Sequence, residues 1–423
     1  MERPFVSLLA LLCFTVTGPG QISSGSYLIR DVRVFDGERV LDHRAVFVDK
    51  GKIVRIDDGS AGRTTSGEII DGHDRTLLPG LFDCHIHVAQ DVIGALRQSL
   101  VLGITTELDM FNGGDRLQRI KLIESEDPSD LSDLRTAGVG ATVPGGHPTQ
   151  MGGGPFPTIS TPDQAQAFVD ARIAEGSDYI KIVYDDLASL GPRFRAPMLN
   201  RETLTALIQA AHARGRLAVA HIGTESQARD AIAAGVDGLA HMFTGSSAAT
   251  DFGRFAAAHH IFVIPTLSIL YSVCGKGNAA ALLGDSRLKL YLRAPWQQQL
   301  ESSWPFEPES CEATRQGLRE LIAAHVPILA GTDAPAPGTA YGASLHGELA
   351  LLVSAGMTPL QALVGATSAP ARAFHLADRG LIRPGLRADL VLVEGNPTTD
   401  ILATRSIVSV WKRGNLVQRG QGR

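Results

Sequence analysis

Several features are scarce in this chain of 423 residues, and each scarcity closes a class of answer. Only four cysteines occur, Cys13, Cys84, Cys274 and Cys311, scattered and without a CxxC pair. The reading is therefore of no disulfide framework and no zinc ribbon. Charge of one sign is also lacking: 39 Lys and Arg stand against 44 Asp and Glu, a formal balance of −5 with no basic block. Nothing in that balance suggests nucleic acid or an anionic membrane surface as a partner, and the expectation is a small-molecule or peptide-like ligand. No apolar run reaches the roughly 18 residues of a spanning helix, so no stable membrane insertion is expected. There is no G-x-S-x-G elbow, and MGGGPFP lacks the Lys-Ser/Thr of a phosphate loop.

What is present is enough apolar sequence, 44%, for a large buried core. The amino-terminal run from Phe5 to Val16 has the length of a signal-peptide core, and small residues follow from Gly18 to Gly25. Residues 1–24 are read as a signal peptide and the protein as secreted or exported; the competing reading is an uncleaved apolar terminus on a cytoplasmic protein. From Tyr27 to Leu78, YLIRDVRVFDG, RAVFVDKGKIVRID and EIIDG are short strands broken at Asp-Gly and Lys-Gly turns. About fifty residues of this kind do not close a core alone. The other end of the chain supplies DLVLVEGN and SIVSVWKRGNLVQ. The expectation is a small composite β-sandwich domain from residues 25–78 plus 379–423.

Between these ends, apolar strands alternate with amphipathic helices over about 300 residues, which predicts an α/β fold, a (β/α)8 TIM-type barrel at 79–378. Active sites of such barrels lie where the strands end. His85 and His87 end GLFDCHIHV, Lys181 lies in DYIKIVYDD, His221 ends LAVAHIG, His241 falls in GLAHMF, and Asp333 follows ILAGT. Strand alternation puts His85, His87 and Asp83 inward, and turns Cys84 and Ile86 outward toward the helices. Lys181 shares a face with Tyr179 and Val183 on an apolar strand, where an ammonium is costly to bury. Desolvation there favours a free amine able to add CO2; the competing reading is a lysine whose head reaches water at the strand end.

The run LLPGLFDCHIHV, followed in order by IKIV, AVAHIG, LAHMF and LAGTDAP, resembles the amidohydrolase superfamily. The tail motifs HGELALLVSAGMTP, ATSAPARAF and DRGLIRPGLRADLVLVEGNP are similar to its imidazolonepropionase-like, Xaa-Arg and Xaa-Pro dipeptidase and ochratoxinase-like branch. The resemblance implies His85 and His87 as ligands of a buried metal ion, His221 and His241 as ligands of a more exposed one, and a carboxylated Lys181 bridging them. It makes Asp333 both a ligand and the catalytic proton shuttle, and assigns His147, in VPGGHPTQ, to substrate. Tyr184 is a further substrate candidate, weighed against simple packing, and His346 a candidate supporting residue. The implied cofactors are two divalent ions, Zn2+ or Mn2+. The implied reaction is hydrolysis of a dipeptide-like or N-acyl amino acid amide by a metal-bridging hydroxide. Two such cations less a carbamate, Asp333 and hydroxide leave a net charge of about +1, which favours a substrate bearing a carboxylate. A mononuclear hydrolase of a cyclic amidine or lactone and a non-catalytic binding homologue stand as alternatives. Self-association is left open.

Overall fold

The computed structural model describes residues 25–59, 67–151, 155–191, 193–245, 249–305 and 310–420. The segment read as a signal peptide lies outside them. Among the described residues, no helix is long and apolar enough to cross a membrane.

The amino-terminal strands β1 (Tyr27–Phe35), β2 (Val40–Asp49), β3 (Lys52–Asp58), β4 (Glu68–Asp71) and β5 (Arg75–Pro79) precede two parallel groups. The first group is β6 (Leu81–Ile86), β7 (Ile104–Asp109) and β8 (Asp133–Thr136). The second is β9 (Ile180–Val183), β10 (Ala218–His221), β11 (Gly238–Ala240) and β12 (Phe262–Ile264). The carboxyl end adds β13 (Leu390–Glu394), β14 (Ile407–Lys412) and β15 (Asn415–Leu416).

Strands from the two ends share one sheet, ordered β15-β14-β13-β5-β1-β2-β3 with β4 also on β1. The sandwich reading anticipated two facing sheets; the hydrogen bonds make one. The reason is β1: its first half pairs with β4 and its later part with β5, and β5 in turn pairs with β13, so a single ladder carries both termini.

The parallel strands form two arcs, of three and four strands, and not one closed sheet. Single bridges join the arcs, Ala141 to Ile182 on one side, and Val263 to Ile328 and Ile86 to Ala334 on the other. The run ILAGT, read above as a barrel strand ending just before Asp333, joins its neighbours only through such bridges. Pro327 has no N–H to give to a ladder, and Asp333 turns out of extended backbone at φ 62°.

Helices between the strands begin where the chain supplies side-chain caps. Asn200 accepts from Thr203 N before Arg201–Ala213, and Thr224 and Gln227 close a reciprocal box before Glu225–Ala233. Their apolar faces pack on the outward residues of the arcs, among them Ile180, Ile182, Ala218, Ala220 and Val263. Inward residues of the same strands, Phe82, Leu108, Val219, Ala240 and Leu329, form a separate cluster closed below by Phe374. Cys84 belongs to this inner cluster, not to the outward layer that strict alternation assigns it. The pairing of β6 with β7 shifts register between Asp83 and Ile86, and a shifted strand no longer alternates. Cys84 is still a buried core residue.

One disulfide departs from the cysteine reading: Cys274 is bonded to Cys311, 37 residues apart. Two cysteines that far apart in sequence carry no pairing signal; the fold alone brings them together.

Candidate metal centre

Residues near the ends of the parallel strands meet in one place, and the local chain explains how. Ile180 and Ile182 take the outward positions of β9, which turns Lys181 inward. His221 is the last residue of β10. His241 follows β11 with φ 76° and Asp333 has φ 62°, left-handed conformations that are uncommon outside glycine and clustered at functional sites.

Five imidazole rings form a continuous chain. Centroids are 5.2 Å apart for His87 and His85, 4.6 Å for His85 and His241, 4.5 Å for His241 and His221, and 4.9 Å for His221 and His147. Asp333 Oδ1 lies 3.0 Å from His87 Nε2 and 3.4 Å from His85 Nε2. Ligand atoms of His85, His241 and Asp333 all fall within 4.8 Å of one another.

The electrostatics suit a cation. His85 is fully buried, and neither ring nitrogen has a hydrogen-bond partner among the described residues; the same holds for Lys181 Nζ. Orphaned buried polar atoms are costly unless something binds them. Burial first, and the positive neighbours Lys181 and His241 next, hold His85 well below the usual histidine range, so the ring is neutral and its lone pair free. His241 is held down by burial and by His221 and Lys181 in the same way. For Lys181, burial outweighs the attraction of Asp333 and Asp109 and brings the ammonium down to about 7. Imidazole nitrogen with carboxylate oxygen is a donor set that fits zinc or a similar divalent ion.

All six residues read from sequence as ligands lie in or beside this cluster. His147 sits at its edge, with Nδ1 2.6 Å from Gln150 Nε2. Tyr184 does not join it. That residue follows Val183 with the outward parity of Ile180 and Ile182, packs among the helix-facing core, and donates its hydroxyl to Asp230 Oδ2 at 3.1 Å. These contacts are what the packing alternative expects of Tyr184. His346 is also remote, buried between Thr404 Oγ1 and Leu102 O, and ties the helix Ala343–Ser354 to the carboxyl end.

Three residues of the site escaped the sequence reading. Asp185 Oδ2 lies 3.2 Å from His221 Nε2, and Thr266 Oγ1 lies 2.7 Å from His241 Nδ1. Asp109, buried at the end of β7, accepts from Val88 N, Asn112 Nδ2 and Thr136 Oγ1. The inward parity of 181, 183 and 185 could have exposed Asp185; nothing local marks Thr266.

Known proteins resemble the chain over most of its length. Over 386 residues it is 24% identical to ochratoxinase of Aspergillus niger, covering 80% of this chain and 75% of that one. A shorter stretch of 74 residues is 47% identical to imidazolonepropionase of Cutibacterium acnes, 17% of this chain and 18% of that enzyme. The crystal structure of a Xaa-Pro dipeptidase with bound methionine matches with a TM-score of 0.75 at 23% identity, covering 93% of this chain and 100% of that one. A likeness of this extent makes the fold a TIM-barrel-type α/β fold. Residues 76–417, which include every residue of the cluster, match the amidohydrolase family, and the chain belongs to that family of hydrolases acting on carbon–nitrogen bonds.

Proposed function

We propose that this protein is a binuclear metal-dependent hydrolase that cleaves the amide bond of a dipeptide-like or N-acyl amino acid substrate. The observation that carries the reading is the buried, unpartnered pair of His85 and Lys181 beside Asp333. His85, His87 and Asp333 would hold one ion, His221 and His241 the other. The free amine of Lys181 would add CO2 with loss of a proton, giving a carbamate that would serve as a further ligand. Bound there, divalent ions supply Lewis acidity toward the scissile carbonyl and bring the pKa of water to about 7.

The chain's own groups do the rest. Asp333, 17% exposed, is open enough to accept the proton of the attacking water and deliver it to the leaving nitrogen. His147 at the cluster's edge would present a ring N–H to substrate, oriented by Gln150 on its other nitrogen. A net positive site favours a substrate with a carboxylate, in keeping with relatives that include a Xaa-Pro dipeptidase.

The reading takes the two arcs and their bridges as a ring of (β/α)8 type at 79–378, and 25–78 plus 379–423 as a companion β unit. Export is proposed as well, supported by the Cys274–Cys311 disulfide, because such bonds persist mainly in oxidising compartments. Alkylation of the protein isolated without reductant should leave these two thiols unlabelled.

A second reading has one specific support: the three-donor group of His85, His241 and Asp333 could serve a single ion. A mononuclear hydrolase of a cyclic amidine or lactone would follow, with Lys181 unmodified. Counting ions per chain and screening dipeptides, N-acyl amino acids and lactones with the Zn2+- and Mn2+-loaded enzyme separates the two. Two ions with amide turnover support the first; one ion with lactone turnover supports the second.

A further inference from the structure

We infer that Asp185 is a positioning residue of the metal centre, which holds His221 by Nε2 and leaves Nδ1 as the ligating nitrogen; this rests on the metal reading above. Asp185 is 4% exposed and both of its oxygens are committed. Oδ2 lies 3.2 Å from His221 Nε2, and Oδ1 accepts from Leu187 N at 2.9 Å. The slot is shaped for the carboxylate: a Cβ on Gly223 would sit 2.6 Å from Asp185 Oδ1, so only glycine leaves room there. Asp185 lies two residues past the end of β9 at Val183, and Val183 is in register with His221 on β10, which brings carboxylate and ring side by side.

A carboxylate facing one ring nitrogen fixes the proton on it and the lone pair on the other. His241 is held the opposite way, by Nδ1 to Thr266 Oγ1. The two neighbouring rings therefore offer opposite nitrogens to the centre, and the choice is made outside the ligand set.

The test compares wild type with Asp185→Asn and Gly223→Ala. Zn2+ affinity is measured by competition with a chromogenic chelator, and the His221 tautomer by 15N-histidine NMR of the metal-free protein. The asparagine is isosteric, but its single oxygen cannot accept from both Leu187 N and His221. The expected result is Zn2+ binding weakened by about 10- to 100-fold for one ion, with the other ion and the melting temperature little changed. The His221 signal should move from the Nε2–H form to a mixture. Gly223→Ala should weaken the same ion. If Asp185→Asn kept wild-type affinity and the Nε2–H tautomer, the proposal would fall while the metal reading stood. If both ions and the fold were lost together, the role would be structural and the proposal would also fall. A wild-type protein that binds no Zn2+ would overturn both readings.

Discussion

The candidate metal centre and a buried cluster of ion pairs under the first arc are built differently. In the metal centre, His85 and Lys181 have no hydrogen-bond partner among the described residues. At the foot of the first arc, where β8 meets the carboxyl-terminal strands, each buried charge lies within ion-pair distance of one of opposite sign, although Arg387 Nε and Nη2 and Asp389 Oδ2 make no hydrogen bond. Asp133 pairs with Arg379, with Arg387 at 2.8 Å and with Lys412 at 2.6 Å; Arg387 also pairs with Asp389 and Arg379 with Asp378. Burial alone would raise the Asp133 carboxyl, but the charges of Lys412, Arg379 and Arg387 outweigh it and hold it below the usual carboxylate range. A network of this kind, with its opposite charges paired, joins two parts of the chain. The centre leaves His85 and Lys181 without hydrogen bonds, a cost that binding can recover.

Breaking the contrast should give effects of different kinds. At the centre, His85→Ala or Lys181→Ala should lower hydrolysis by about 1,000-fold or more, some 4 kcal/mol of barrier, with loss of bound metal and little change in melting temperature. Full activity in Lys181→Ala with two ions bound would end the carbamate proposal. In the paired network, Asp133→Ala strands three buried cations and should cost about 3–5 kcal/mol in urea unfolding, while activity per folded molecule is kept.

The same network has a pH signature. A carboxylate whose folded pKa is depressed adds stability above its unfolded value, and that stability is lost as pH falls through the folded one. The stability gap between wild type and Asp133→Asn should therefore be widest near neutrality and shrink below about pH 4. A gap that stayed constant would mean that the carboxylate's charge contributes nothing.

Smaller effects sharpen the boundary between the regions. Cys274→Ser should cost about 2–4 kcal/mol, read as a lower melting temperature that reductant reproduces in the wild type. Its neighbour Ser272 donates to Pro337 O at 2.7 Å, so some loss of activity through the loop after Asp333 should accompany it. Least of all, Tyr184→Phe should remove one bond to Asp230, about 1 kcal/mol of stability, and leave kcat/KM within about twofold. A large rise in KM would return Tyr184 to the substrate.

The gathering of the candidate ligands in one cluster was legible because they sit near strand ends at fixed parity. His85 and His87 are two apart on one strand, and Lys181 is the one cation in an apolar run. Where parity failed, a specific local event was responsible. The register shift in β6 moved Cys84 inward, and Tyr184 kept outward parity just past the end of β9. The paired network was invisible for another reason: Asp133 and Lys412 are 279 residues apart, and neither stands out from ordinary surface charge.

The sequence by itself determined the alternation of strand and helix, the sharing of one β unit by both ends, and which histidines, lysine and aspartate the fold gathers in or beside one cluster. Local periodicity and residue chemistry carry that information without reference to distant neighbours. Only the tertiary structure decided that Cys274 bonds Cys311, that one ladder runs through β1, and that Asp185 and Thr266 hold opposite nitrogens of neighbouring rings. Those contacts join positions tens of residues apart, and their geometry exists only once the strands have packed side by side.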